Sequence, residues 1–178
     1  MHENAKIAEA EFFLNRMLEA ENDSQEFHFF LSAFLSAARS VLQYALEEVR
    51  GTPQAQQWYD SKISGTPILQ FFKGKRDLNI HQEPVGTNRH LAIEEQVPIH
   101  ISESVRVVIT RENGTTEIRE SSSVPAPARK GESKSSISSK YYFNDWPGTE
   151  DAIKLCQSYI VELRTLVEDG TTRRYIRG

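Results

Sequence analysis

The fold of this chain is decided by the stretch DSQEFHFFLSAFLSAARSVLQYALEEV, which runs from Asp23 to Val49. Apolar residues recur in it at every third or fourth position for about six turns, and this periodicity predicts one long amphipathic helix. Asp23 and Glu26 have the spacing of a capping box, in which each side chain satisfies a backbone N–H at the helix start. Because the apolar face is broad, we expect this helix at the centre of a bundle. The face consists of Phe27, Leu31, Phe34, Ala38, Leu42, Ala45 and Val49, and is widened by Phe30, Leu35 and Leu46.

Helical periodicity continues on both sides of this stretch. Residues 4–21 carry an apolar stripe before it, and residues 55–62 form a short predicted helix after it. The next helix opens with Pro67 in its first turn, where proline loses no hydrogen bond. We expect it to end at residues 80–81, because Pro84 disfavours helical backbone at the residue before it.

A last helix is predicted near the C-terminus of the sequence. Thr149 is its expected cap, Glu150 and Asp151 form an acidic first turn, and Gly170 is its expected end. The arginine-rich tail that follows is expected to fray. The apolar face of this helix consists of Ile153, Cys156, Ile160, Leu163 and Val167.

Between these helices the period changes from helix to strand. Residues 97–101 alternate, and residues 105–110 are rich in β-branched side chains. Asn113 and Gly114 form a strong hairpin signal, so residues 115–119 are the predicted return strand of a small antiparallel sheet.

A compositional break follows the predicted hairpin. Residues 121–139 are rich in Ser, Pro, Lys and Arg and lack aromatic residues, which predicts a mobile loop. Order is expected to resume at residues 141–143, in a short strand. Residues 85–140 are therefore predicted to be a β-hairpin and flexible-loop insertion within a single domain over residues 1–178. The expected fold class is mainly α, with the small antiparallel insertion before the last helix.

Composition narrows the class of protein. The chain has 178 residues, 38% of them hydrophobic, which suffices for one domain with its own core. The net charge is −4 and the pI about 5.8. Proteins that hold nucleic acid across a broad surface are usually basic, so any RNA contact is expected to be local.

The single cysteine, Cys156, allows no disulfide within the chain and is interpreted as a buried packing residue. The N-terminus lacks the layout of a signal sequence. Ser32, Ser36 and Arg39 interrupt the longest apolar run, which indicates an amphipathic helix and not a membrane span. These features predict a cytoplasmic protein without membrane association.

The segment with a motif that bears chemistry runs from Arg76 to His81, and has the form R-x4-H at the end of a helix. Here the chain resembles the HEPN superfamily, whose signature is an arginine followed by a histidine four to six residues later. The resemblance covers residues 5–81 and 141–169, and implies an up-down four-helix bundle. It departs from the family at Asp77, where asparagine is common.

The resemblance implies a metal-independent endoribonuclease, as a component of a toxin–antitoxin, defence or stress system. Arg76 would hold the phosphate as a fork of N–H donors, and His81, which titrates near neutral pH, would carry protons. Asp77 and Asn79 are supporting candidates that can orient His81. Asp77 can instead pair with Arg76 or His81 and weaken it as a phosphate ligand, and Asn79 can be a plain polar residue of the helix end. One Arg and one His per chain are few for this reaction, so the family's dimers imply two chains facing each other.

Other interpretations of these residues stay open. Arg76 can be a solvated helix residue, and His81 a favourable cation at a helix C-terminus. Arg39 is either a further RNA or partner contact or a solvated or interfacial arginine. The whole chain can instead be a non-catalytic HEPN-like binding or regulatory domain that acts through protein partners.

No cofactor or metal is expected. The sequence has no glycine-rich phosphate loop, no G-x-S-x-G motif and no histidine or cysteine spacing typical of zinc sites. A homodimer is expected, because the apolar faces of the first two helices exceed what one narrow stripe requires. The residues in excess are Phe12, Phe13, Phe29 and Phe30.

Overall fold

The computed structural model describes residues 2–81, 87–95, 104–112, 114–122 and 135–177. These residues form five helices and four strands, which confirms the prediction of a mainly helical chain with a small antiparallel sheet before the last helix. The elements are α1 His2–Glu19, α2 Ser24–Val49, α3 Pro53–Gly65, α4 Pro67–His81, β1 Thr87–Glu95, β2 Ser104–Thr110, β3 Thr116–Ser122, β4 Ser135–Phe143 and α5 Ala152–Thr172.

The central helix α2 begins where its cap predicts. The Asp23 carboxylate accepts hydrogen bonds from the backbone N–H groups of Gln25 (2.9 Å) and Glu26 (3.0 Å). The N–H of Asp23 itself donates to the Ala20 carbonyl (2.9 Å). The expected return bond from the Glu26 side chain is therefore replaced by a backbone bond to the α1–α2 turn.

The core forms around α2, which contacts each of the other four helices. Phe34 lies in the middle of its buried face, and its ring meets Phe72 of α4 and Tyr159 of α5 edge to face. The rings of Phe72 and Tyr159 stack with their centroids 4.5 Å apart. Each fully buried aromatic or aliphatic side chain contributes about 1.5–3 kcal/mol, so this face of α2 supplies much of the free energy of folding.

Among the described residues, α2 alone is long and apolar enough to cross a membrane. Half of its apolar window is buried inside the protein, and the core helix of a soluble protein meets the same criterion. Length and composition are therefore weak evidence for a membrane span here.

The contacts divide the chain into two compact units. The first comprises Met1–Ala92 and Ile137–Gly178 and holds the five helices, with parts of the paired strands β1 and β4. The second comprises Ile93–Ser136 and holds the antiparallel pair β2 and β3.

The β2–β3 hairpin follows its turn signal. Val108 pairs with Ile118 in the antiparallel register, and Gly114 closes the turn with a φ of +80°, a backbone angle that suits glycine. Asn113, the other half of the turn signal, lies outside the described residues, as do residues 97–101.

The structure has one strand that the sequence analysis does not predict, β1, and strands β3 and β4 extend into the two ends of the predicted mobile loop over residues 121–139. Ser139, inside that predicted loop, is 0% exposed. Its hydroxyl accepts from the Arg89 guanidinium at 2.8 Å, and Arg89 also donates to the Asn22 carbonyl at 2.9 Å. Residues 123–134 of the predicted loop lie outside the described residues.

Helix α5 begins later and ends later than predicted. Its cap is Asp151, whose carboxylate accepts from the Lys154 N–H at 2.9 Å, so Thr149 lies before the helix. Gly170 lies within the last turn and does not end the helix. A Cβ on Gly170 would stand 2.6 Å from the Trp58 ring and 2.8 Å from Ile176. Glycine is therefore required for the close approach of these side chains.

The tail after α5 is ordered and not frayed. The N–H groups of Arg174 and Tyr175 donate to the carbonyls of Thr171 (3.0 Å) and Gly170 (2.9 Å), which is the Schellman pattern of a helix end. Arg174 takes the left-handed conformation that this pattern needs, with a φ of 60°. Ile176 is 4% exposed, so the tail packs into the core.

Candidate functional site

Helix α4 carries all four residues that the sequence nominates as a site. Its backbone is helical from Pro67 to His81, so Arg76, Asp77, Asn79 and His81 all lie in its last two turns. For residues 76–81 the structure gives the course of the backbone, which is helical. Their places on the faces of α4 follow from about 100° of rotation per residue.

These positions divide into two pairs on different faces of α4. Gln70, Gly74, Asp77 and His81 follow one another at steps of four, three and four, so they form one stripe along the helix. Arg76 lies about 120° from the position of Gln70, and Asn79 about 180° from it. The structure therefore places Asp77 with His81 and Arg76 with Asn79, and does not place Arg76 and His81 on one face.

The face of α4 that holds Arg76 is the one that continues the core stripe. Leu69 and Phe72 precede it at helical spacing, and each is 1% exposed. The stripe of Asp77 and His81 instead continues the side of α4 that faces an open cleft. A regular helix thus separates the two motif residues by about 140° around the axis.

The cleft lies in the elbow between α3 and α4. Thr66 is extended between the two helices, with φ −118° and ψ 102°, and the Gln70 amide donates to the Ser64 carbonyl at 2.7 Å across the bend. The cleft has a volume of about 490 Å³. It is lined by Tyr59, Asp60, Ile63, Ser64, Gln70, Lys73 and Gly74.

The chemistry of the cleft is polar, with one cation and one carboxylate. Lys73 and Asp60 are both exposed, and Gly74 leaves open space where a side chain would stand. Lys73 is about 80° from the position of His81 on α4, nearer than Arg76 is. Sequence reasoning missed Lys73, although the helical spacing of residues 70–81 contains the signal.

A buried lysine holds this end of α4 in place. Lys75 is 7% exposed, and its ammonium pairs with the Asp145 carboxylate. The same ammonium lies 5.2 Å from the ring centroid of Phe71 and 5.5 Å from that of Phe143. This cation–π cluster ties α4 to β4 and to the segment after it, so it positions the turns that carry the motif.

The described histidines outside α4 have structural contacts. His28 bonds the Thr87 hydroxyl at 3.0 Å and the Ser24 carbonyl, which joins α2 to β1. The His90 ring lies 4.8 Å from the Tyr142 ring. Within the described part of the chain, no group of three or more His, Cys, Asp or Glu residues could hold a metal ion.

Cys156 is 0% exposed, and burial raises the pKa of its thiol well above the ordinary value. A thiol that stays protonated is a poor nucleophile, which agrees with its interpretation as a packing residue.

Comparison of the chain with known protein families, curated proteins and solved structures finds no match.

Proposed function

We propose that this chain is a metal-independent endoribonuclease of the HEPN type. The observation that supports the proposal is the position of the R-x4-H segment, in the last two turns of α4, after two long helices and before a final one. In this proposal His81 transfers protons, Arg76 stabilises the phosphate, and Asp77 and Asn79 support them. The cellular role we propose is that of a toxin–antitoxin, defence or stress component.

The reaction we propose needs no metal. A base takes the proton of the ribose 2′-hydroxyl, and the 2′-oxygen forms a bond to phosphorus. The bond from phosphorus to the 5′-oxygen breaks, and that oxygen receives a proton from an acid. Arginine neutralises the charge that develops on the phosphorane. The products are a 2′,3′-cyclic phosphate and a 5′-hydroxyl.

The angular separation of Arg76 and His81 favours a site built from two chains. A helix that is regular up to His81 keeps the two positions about 140° apart, so a phosphate cannot easily meet both in one chain. A homodimer that faces two α4 ends toward one another would supply two arginines and two histidines. Exposed Phe12 and Phe29, at 58% and 62%, supply apolar surface for self-association.

The test is cleavage of single-stranded RNA by the purified chain in EDTA. His81→Ala and Arg76→Ala are each expected to lower the rate by about 10²–10⁴, through loss of the proton carrier and of the phosphate cation. His90→Ala and Arg111→Ala are matched controls, because both residues are exposed and neither lies on α4. Circular dichroism and the mass in solution establish that each variant is folded. Cleavage that survives both α4 substitutions, or that requires a divalent metal, would refute the assignment.

The second candidate is a non-catalytic HEPN-like domain that binds a protein partner. The exposed Phe12 and Phe29 favour it, because large aromatic side chains that face solvent are common at protein interfaces. The net charge of −4 also favours a protein partner over RNA. A folded chain that cleaves no RNA under any condition would support this candidate over the first.

A further inference from the structure

A polar cavity lies where the end of α5 meets the junction of α2 and α3. It has a volume of about 570 Å³, which is within the range of small-molecule pockets. Its lining includes Glu48 of α2, Thr52 before α3, Thr171 of α5, and Arg174, Tyr175 and Arg177 of the tail. None of these residues belongs to the R-x4-H segment or lines the elbow cleft, so the proposed ribonuclease activity does not account for this cavity.

Two of the lining residues are arginines whose charge is not used within the chain. Among the residues that the structure describes, neither the Arg174 nor the Arg177 guanidinium takes part in a hydrogen bond or an ion pair. Arg173, which does not line the cavity, pairs instead with the Asp169 carboxylate at 2.8 Å. Because a guanidinium is a rigid fork of N–H donors that matches the oxygens of a phosphate, the cavity offers two unpaired forks to an anion.

The backbone of Arg174 indicates that its side chain is retained for a purpose. Its φ of 60° is the left-handed conformation, at the position of the Schellman pattern where glycine is the usual residue. A side chain is strained there, because its Cβ crowds the following carbonyl oxygen. Arg174 is the only described residue other than glycine with a positive φ. Backbone strain of this kind is frequent where a side chain is held for a ligand.

The rest of the lining limits the class of ligand. The Glu48 carboxylate accepts a hydrogen bond from the backbone N–H of Arg177 and brings one negative charge to the cavity. It opposes a bare anion but can accept hydrogen bonds from hydroxyl groups. The hydroxyl of Thr52 makes no capping bond to α3, so it is available to a ligand as well. The cavity thus combines two cations for an anion with partners for hydroxyl groups beside it.

We propose that this cavity binds a small sugar phosphate, with its phosphate on Arg174 and Arg177 and its hydroxyl groups on Glu48 and Thr52. A phosphate ester carries a charge of about −1.5 to −2 at pH 7, which two arginines balance. Sugar hydroxyl groups can both donate to the carboxylate and accept from the threonine. The site does not depend on the proposed ribonuclease activity, which involves the end of α4.

Titration calorimetry of the full chain with ribose 5-phosphate, inorganic phosphate and ribose tests the site. Ribose 5-phosphate should bind about tenfold more tightly than inorganic phosphate, and ribose should not bind, because it lacks the anion. Arg174→Gly and Arg177→Gln should each raise the Kd for ribose 5-phosphate about tenfold or more, through loss of charge-assisted hydrogen bonds. Arg164→Gln is the matched control and should leave this Kd unchanged, because it removes the same charge from α5 outside the cavity.

Three results of these titrations would overturn the proposal. The first is no binding of ribose 5-phosphate by the natural chain, and the second is an equal loss of affinity in Arg164→Gln, which would indicate attraction by overall charge. The third is tighter binding of inorganic phosphate, or of an RNA with a 5′-phosphate, than of ribose 5-phosphate. Either ligand would then be preferred to a free sugar phosphate.

Two variants separate a role in binding from a role in folding. Without ligand, Arg174→Gly should melt about 2–4 °C higher than the natural chain, because glycine adopts this φ without strain. Glu48→Gln keeps an acceptor for the N–H of Arg177 and removes the negative charge, so inorganic phosphate should bind more nearly as tightly as ribose 5-phosphate. An Arg174→Gly chain that melts lower than the natural one, or an unchanged ratio of the two Kd values in Glu48→Gln, would contradict the proposed roles of these residues.

Discussion

At the scale of single residues, the Asp169 carboxylate of α5 binds two side chains of α3 and one side chain that follows α5. Its carboxylate accepts from the Trp58 indole N–H at 2.8 Å and pairs with the Lys62 ammonium at 3.0 Å. The Arg173 guanidinium donates to its other oxygen at 2.8 Å. These bonds, the one from Trp58 foremost, hold the pKa of Asp169 well below its usual range.

A pH-dependent loss of stability follows from this carboxylate. Because its pKa is lower in the folded chain than in the unfolded one, its contribution is present above about pH 4 and is lost as the pH falls through the folded value. Asp169→Asn should lower the free energy of unfolding by about 1–3 kcal/mol at pH 7, and by less at pH 3. Urea unfolding at both pH values measures this. Asp60→Asn, at an exposed carboxylate, is the control, and a penalty for Asp169→Asn that is equal at both pH values would contradict the argument.

At the scale of elements, the glycines of α4 and α5 have opposite roles. In α5, a methyl group on Gly170 would collide with Trp58 and Ile176, whereas a methyl group on Gly74 of α4 would meet nothing within 4 Å. Both glycines lie within helices, so the better helix propensity of alanine favours either substitution equally. Only the packing differs between them.

This difference predicts effects of opposite sign. Gly170→Ala should destabilise the chain by about 1–3 kcal/mol, because Trp58 and the tail must move. Gly74→Ala should stabilise it by about 0.5–1 kcal/mol, through the better helix propensity of alanine. Thermal unfolding of the two variants side by side gives the comparison. Stabilisation by Gly170→Ala would mean that the tail does not pack on α5 as described.

The elements that the sequence predicts well are those specified by local signals. The bounds of α4 follow from Pro67 at its start and Pro84 beyond its end, and the start of α2 follows from Asp23. Strand β1 has no such signal, because Thr87 and Arg89 are polar residues that bond His28 and Ser139. A polar network between distant parts of the chain becomes visible only when the chain is folded.

The same reasoning applies to the candidate site. The R-x4-H spacing is visible in the sequence, and so are the helix faces on which its residues fall. The cation–π cluster that ties this end of the helix α4 to β4 is not visible there, since it joins Lys75 to Phe143, a residue far away in the sequence.

At the scale of the whole molecule, the outer surface of the first two helices remains open to a partner. Phe12 and Phe29 are 58% and 62% exposed, while Phe13 and Phe30 pack partly against the core. The Arg16 guanidinium lies 5.4 Å from the Phe30 ring centroid and covers part of this surface. Exposed aromatic rings of this size favour self-association.

A homodimer is the expected state in solution. Sedimentation at micromolar concentration should give twice the mass of the chain, and Phe12→Ser with Phe29→Ser should shift the equilibrium toward the monomer because the apolar contact is lost. Val161→Ser is the matched control, at an equally exposed apolar residue of α5 (59%). A natural chain that sediments only as a monomer would remove both the dimer and the two-chain site.

The first compact unit is discontinuous in sequence, and this has a consequence for synthesis. Helix α2 is complete once Val49 has been synthesised. Its partner helix α5, which carries Tyr159, is complete only after Thr172 has been added. At a rate of about 5–20 residues per second, synthesis of residues 50–172 takes about 6–25 s. During this time part of the apolar face of α2 is not yet covered by α5. The second unit, Ile93–Ser136, accounts for about 2–9 s of that delay. During this interval the nascent chain presents a surface that chaperones can recognise.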